Sequence, residues 1–266
     1  MVDSLIVQDA GDGITVITLN RPERLNALNR DIVGKLHDAI STLNHQHDCR
    51  AVILTGAGAG FCAGLDLQDG ELSLPDTDHL SGVNRLMLMQ EHIISLMEAL
   101  HRCRKPIIAA VNGPAVGGGF GIAVAADIRI VSESARFGVV FMKLGASNCD
   151  MGISYLLPRL IGGSRAAELF LTGRIIDADE AYRIGLVHDV VPDEDLFDRA
   201  MVTAREVAAH GAFQLWMTKE TMWGSIDAPS MRYAIDLENR TQIMCTQTGE
   251  FEANVAAYQA RSRNGA

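Results

Sequence analysis

In the first half of the chain, apolar residues fall in short unbroken or alternating runs separated by glycine-rich joints; in the last third they recur every three or four residues. Residues 5–8 and 14–19 are β-branched runs on either side of Asp9-Ala10-Gly11-Asp12-Gly13, which predicts a β-hairpin. Asn29 predicts the N-cap of a helix reaching about residue 46, with Ile32, Leu36, Ala39, Ile40 and Leu43 on one face. Residues 51–55, 106–111 and 128–131 read as buried strands, and a helix fits 83–102 with Leu86, Met89, Ile93, Leu96, Met97 and Leu100 apolar. Residues 68–81, rich in Asp, Pro, Ser and Gly, have little periodicity and read as a mobile segment. From residue 153 to 261 the pattern is nearly all helix, broken at Gly162-Gly163, Gly173, Gly185 and Pro192.

Strands that alternate with helices imply α/β layers with parallel strands, whose ligand loops lie beyond the carboxyl ends of the strands. No internal repeat or linker marks independent domains. The simplest organisation is an α/β core over 1–195 and a helical region over 196–266 that belongs to the same fold.

Chemistry concentrates at Val111-Asn112-Gly113-Pro114-Ala115-Val116-Gly117-Gly118-Gly119-Phe120-Gly121, a strand-turn-helix joint. Three glycines at a helix start remove every Cβ, so a ligand can approach the backbone closely. The first turn of a helix has unpaired N–H donors and the positive end of the macrodipole, which suits an anion or an oxygen that becomes negative during reaction. A tight turn that lets the helix pack on the sheet explains an isolated glycine triplet equally well. No Lys-Ser/Thr follows and the spacing is not Gly-x-Gly-x-x-Gly, so the phosphate-loop patterns do not apply. A second glycine loop, Gly56 to Gly64, follows the strand at 51–55, and the two loops could face each other.

A net charge of −10 over 266 residues argues against a nucleic-acid or membrane-surface role, both of which need a basic face. Five cysteines with no Cys-x-x-Cys pair argue against disulfides and structural metal. His45-x-His47 lacks a third ligand. Neither a leader pattern nor an apolar run near the ~18 residues of a membrane span is evident, which makes a cytoplasmic protein the expectation.

Several stretches in order resemble the crotonase, or enoyl-CoA hydratase/isomerase, superfamily over nearly the whole chain. They are Asn20-Arg21-Pro22 with Leu25-Asn26-Ala27-Leu28, then Gly58 to Leu67, Lys105 to Gly113 with Gly117-Gly118-Gly119, Ala126-Asp127, Ala135-Arg136-Phe137-Gly138, and Leu171-Thr172-Gly173. The resemblance implies an α/β fold made as a spiral of ββα units, with a C-terminal helical part that supports a homotrimer or dimer of trimers. It implies an acyl-CoA thioester as substrate, with CoA entering as part of that substrate and no separate cofactor. Carried over residue by residue, the backbone N–H groups of Leu65 and Gly118 would form the oxyanion hole. Arg24, Asn26, Ala27, Ala63, Asp66 and Leu67 would lie along the pantetheine and adenine.

The chain departs from the family pattern where hydratases carry two water-handling glutamates: Gly121 and Phe141 stand there instead, and neither transfers a proton. What the sequence offers is Asp150, before Gly152 and Leu156-Leu157-Pro158-Arg159. Double-bond isomerases of the family have an aspartate near this point, although the dienoyl isomerases have one residue fewer before it. The same aspartate also suits a helix N-cap before residue 153. The expected activity is therefore C=C isomerisation through an oxyanion-stabilised enolate with Asp150 as proton shuttle. The alternatives are a hydratase with a non-standard acid and a catalytically weak acyl-CoA-binding or assembly protein. Weaker candidates are Glu91 and His92 on the 83–102 helix, Cys149 beside Asp150, and Arg261 with Arg263 as contacts to a CoA phosphate.

Overall fold

In a computed structural model that describes residues 3–68, 74 and 76–264, the chain folds around a six-stranded sheet of order β1-β2-β3-β4-β6-β9. Leu5–Asp9 (β1) and Ile14–Leu19 (β2) form the expected antiparallel hairpin. Every later pairing is parallel: Ala51–Gly56 (β3), Ile107–Val111 (β4), Ile128–Ser132 (β6) and Asp189–Val191 (β9). A small second sheet joins Pro114–Val116 (β5), Arg136–Gly138 (β7) and Ile175–Asp177 (β8).

The strands read as unbroken apolar runs because both faces of the main sheet are covered. On one face, Val52, Leu54, Ile107, Ala109 and Val111 pack against Arg30–His45 (α1), Gly82–His101 (α2) and Gly118–Ala125 (α3). On the other, Ile14, Val16, Ala51, Ile53, Ile108, Ala110 and Ile130 meet Leu196, Ala200, Met201, Ala204 and Ala208 of Leu196–Ala208 (α7). Alternate residues of one strand thus feed two different cores. Helix α1 begins where expected, since the Asn29 side chain accepts the Ile32 N–H at 3.0 Å.

The last third is less uniformly helical than its pattern predicts. Ile153–Ile161 (α4) and Gly163–Thr172 (α5) are parted from Ala178–Arg183 (α6) by β8, and β9 follows α6; both strands are only three residues long. Strands this short cannot display an alternation. Beyond α7, Ala212–Ile226 (α8), Met231–Thr246 (α9) and Glu250–Asn264 (α10) form an outer layer. Of the 68–81 segment expected to be mobile, residues 69–73 and 75 lie outside the described residues. No helix among the described residues is long and apolar enough to cross a membrane.

Candidate active site

The two glycine loops do face each other, backbone against backbone. Cys62 and Ala115 form a parallel bridge in which Cys62 N–H donates to Pro114 O at 3.0 Å and Val116 N–H to Cys62 O at 3.1 Å. Leu28 N–H donates to Gly64 O at 2.7 Å and Asp66 N–H to Leu28 O at 2.9 Å, which pins the other loop beside Leu65. The contact leaves no space for side chains: a Cβ on Gly119 would lie 2.0 Å from the Cys62 carbonyl oxygen, and one on Gly64 only 3.3 Å from Gly118 N.

Helix α3 starts at Gly118, so this N–H has no intrahelical acceptor. The bridge to Leu28 uses the groups on either side of Leu65 and leaves its N–H free. Among the described residues, neither of these two donors has a hydrogen-bond partner. A free N–H at the start of α3 and a second on the facing loop can stabilise an oxygen that gains negative charge. The far end of α3 is closed by Arg129, which sequence reasoning missed. Its buried guanidinium donates to Ala126 O at 2.7 Å and Leu186 O at 2.7 Å, and burial brings it down to about 10.

One turn into α3, Gly121 faces Met151. A Cβ there would lie 2.8 Å from Met151 Cβ and 3.2 Å from Met97 Sδ, so no longer side chain fits without rearrangement. Met151 is buried and holds φ at +54°, a conformation costly for a bulky residue and one that clusters at functional sites. Its Cε reaches to 3.3 Å from where a Gly118 Cβ would stand. Phe141, in a 3-10 turn over Phe141–Leu144, sets its ring 3.5 Å from the corresponding point on Gly117. Gly121 and Phe141 therefore both sit among apolar groups.

Asp150 borders this enclosure. Its Oδ1 accepts Gln90 Nε2 from α2 and the Met151 N–H, each at 2.7 Å. The N-cap alternative for its side chain is corrected here: α4 is capped by Gly152 at φ +69° with no side-chain cap, because the chain turns left-handed through Met151 and Gly152 before the helix starts. Only the Asp150 main-chain carbonyl serves the helix start, accepting Ile153 N–H at 2.9 Å.

The other expected contacts divide into two groups. Asn26, fully buried, accepts Arg21 N–H at 2.8 Å and donates to Ala57 O and Gly60 O at 2.9 and 2.8 Å, so its side chain ties the loops together. Asp66 is buried and pairs with Arg21 Nη2 at 2.9 Å. Around this frame, Ala27 is buried, Ala63 and Arg24 are half-buried, and Leu67 is exposed; Arg24 bonds to Gln68. Glu91 and Cys149 are exposed, and His92 stacks on His37 with its pKa lowered by burial first and then by neighbouring charge. Cys62, inside the joint, is pushed up to about 12 by burial, which makes it inert as a nucleophile. His45 is exposed and bonds through Nδ1 to Ser41 O, and His47 is also exposed. The side chains of Arg261 and Arg263 lie outside the described residues.

With this geometry in view, comparison with known proteins gives the class. The family model described as enoyl-CoA hydratase/isomerase matches residues 9–264. The chain belongs to this family and has the crotonase fold. It is similar to the probable enoyl-CoA hydratase EchA12 of Mycobacterium tuberculosis, 40% identical over 96% of this chain and 90% of the relative. It is also similar to the 1,2-epoxyphenylacetyl-CoA isomerase of Escherichia coli, 34% identical over 96% and 95% of the two chains. A solved structure of a probable enoyl-CoA hydratase/isomerase from Mycobacterium abscessus superposes with a TM-score of 0.90 at 36% identity, covering 97% of this chain and 96% of that one.

Proposed function

We propose that this member of the enoyl-CoA hydratase/isomerase family shifts a C=C double bond in an acyl-CoA thioester, with no separate cofactor. The observation that carries this reading is the Gly121 contact: Met151 and Met97 stand where a water-handling acid would need room, and the carboxylate beside them is Asp150. In the proposed reaction the thioester carbonyl oxygen accepts the Leu65 and Gly118 N–H groups. The C2–H bond breaks, its proton passes to Asp150 and its electron pair enters a dienolate. The same proton then forms the new C4–H bond as the double bond settles between C2 and C3. Removing one such oxyanion donor typically costs ~2.7–4 kcal/mol of barrier, so a pair can carry much of the enolate stabilisation.

Asp150→Asn tests the reading, because it keeps shape but accepts no proton at neutral pH. Isomerase turnover on 3-enoyl-CoA is expected to fall by ~10²–10⁴-fold, together with exchange of the substrate's α-hydrogen in deuterated solvent. Retained exchange would move the base elsewhere, with Glu91 the next residue to substitute. A homotrimer or dimer of trimers would cover exposed Met231, Tyr233, Ile243 and Tyr258 on α9 and α10. Sedimentation of a monomer at micromolar concentration would contradict this.

A further inference from the structure

The Asp150 carboxylate is held asymmetrically. Gln90 Nε2 and Met151 N–H both donate to Oδ1, each at 2.7 Å, and among the described residues no donor or cation engages Oδ2. A carboxylate oxygen has room for about two donors, so a proton arriving at Oδ1 would have to displace one of them. Protonation at Oδ2 disturbs neither bond. The carboxylate thus has one fixed edge and one open edge.

Met151 N–H is local and comes with the chain. Gln90 comes from a different element, 60 residues earlier, and its position on α2 is unusual. It lies three residues before Ile93 and seven before Met97, where the buried face of the helix begins; Leu86, one turn earlier, is exposed. Ile93 and Met97 are buried, and Met97 also touches the Gly121 enclosure. Packing alone would place an aliphatic side chain at residue 90; a half-buried amide there has its reason in the oxygen it meets. The titratable groups on the flanking elements, Glu91, Lys143 and Cys149, are all exposed, and none pairs with Asp150 among the described residues.

Resting on the reading of Asp150 as the proton shuttle, we propose that Gln90 is a positioning residue: it ties down Oδ1 so that Oδ2 alone carries the transferred proton. Without the amide, the carboxylate rotates about its Cβ–Cγ bond and spends less time aligned with either carbon. A misplacement on the order of 1 Å can cost ~10²-fold in rate.

The test measures kcat and KM on 3-enoyl-CoA for Gln90→Met, Asp150→Asn and the double variant. Gln90→Met keeps the length of the side chain and removes the donor. It is expected to lower kcat by ~10–10²-fold with KM nearly unchanged, since the lost interaction aligns the reaction and does not bind the substrate. The double variant should be no slower than Asp150→Asn alone. Gln90→Asn, whose amide falls one methylene short of Oδ1, should show the same loss in kcat, and it guards against a folding defect in the apolar variant. Wild-type kcat in folded Gln90 variants, with Asp150→Asn inactive, would overturn the role of Gln90 and leave the shuttle standing. An active Asp150→Asn that still exchanges the α-hydrogen would instead remove the shuttle and this proposal with it.

Discussion

The glycine joint and the C-terminal helical layer are built on opposite plans. At the joint, main chain meets main chain, and a Cβ at Gly119 would overlap the Cys62 carbonyl. In the outer layer, α9 buries no residue, and large apolar side chains such as Met231 remain 79% exposed. Its firmest polar hold on the core runs through α8. Lys219 Nζ pairs with Asp127 Oδ2 at 2.7 Å with both groups buried, and Trp223 Nε1 donates to Asp127 Oδ1 at 2.9 Å. Ile107 N–H completes the cluster by donating to Oδ2 at 2.8 Å. Backbone contact leaves the joint no space for a side chain, whereas the layer hangs on a few side chains. That difference fits a site whose donors must be in place before the substrate arrives.

The largest effect is expected from Gly119→Ala. A methyl group 2.0 Å from a carbonyl oxygen cannot be accommodated by turning a side chain, so the two loops must separate. The variant should show no cooperative unfolding transition in urea, or be recovered insoluble. A stable, active Gly119→Ala protein would show that the joint yields and would erase the contrast. Next comes Lys219→Met, which strands a buried Asp127 and is expected to cost about 3–5 kcal/mol of stability. Turnover per folded molecule should survive, because the joint does not depend on this pair; loss of turnover with stability intact would break the comparison from the other side.

These two regions also differ in how far they could be read from the chain. The joint was legible because its determinants are local: an apolar strand, a glycine run and a helix start follow one another within about a dozen residues, and a second loop repeats the pattern. Family resemblance then singled out Leu65 and Gly118. Neither Asp127 nor Lys219 signals the other in sequence, since only folding brings the residue before β6 and α8 together. The same limit hid Arg129 and the three-residue strands β5, β7, β8 and β9. Asp150 stood out as a candidate from its place in the chain, but its side chain's partner did not, although Gln90 left a trace as an amide at helical spacing from Leu86, Ile93 and Met97. The left-handed turn at Met151 had no such trace, because nothing about a methionine announces a positive φ.

Gly118→Pro follows in size. Proline is tolerated at a first helical position and lacks only the N–H, so the joint should persist while one donor disappears. The nearest obstacles, Leu28 Cδ1 at 3.1 Å and Met151 Cε at 3.3 Å, are ends of flexible side chains. Turnover is expected to drop by ~10²–10³-fold, equivalent to ~2.7–4 kcal/mol. Near-normal turnover in a folded variant would reject the oxyanion role of this backbone group.

The smallest effect is a pH dependence of stability located at the α8 anchor and not at the joint. His101 sits edge-on to Trp223 at 4.5 Å, and its pKa is lowered below the ordinary 6.5, first by burial and then by the charge of Lys219. In the unfolded chain the imidazole binds a proton at its ordinary pKa, whereas the folded protein resists that proton until the pH is lower. Between those two values the unfolded state holds more protons, so stability falls as pH drops through about 6.5 and levels off below the folded pKa. His92 on α2 acts in the same direction, so the two must be separated. Urea midpoints at pH 7.5 and 5.5 should differ in the wild type and differ less in His101→Gln. Lys219→Met should also flatten the profile, because it removes the positive neighbour that helps hold the His101 pKa down. An acid loss unchanged in both variants would place the sensitivity at His92 and detach it from the outer layer.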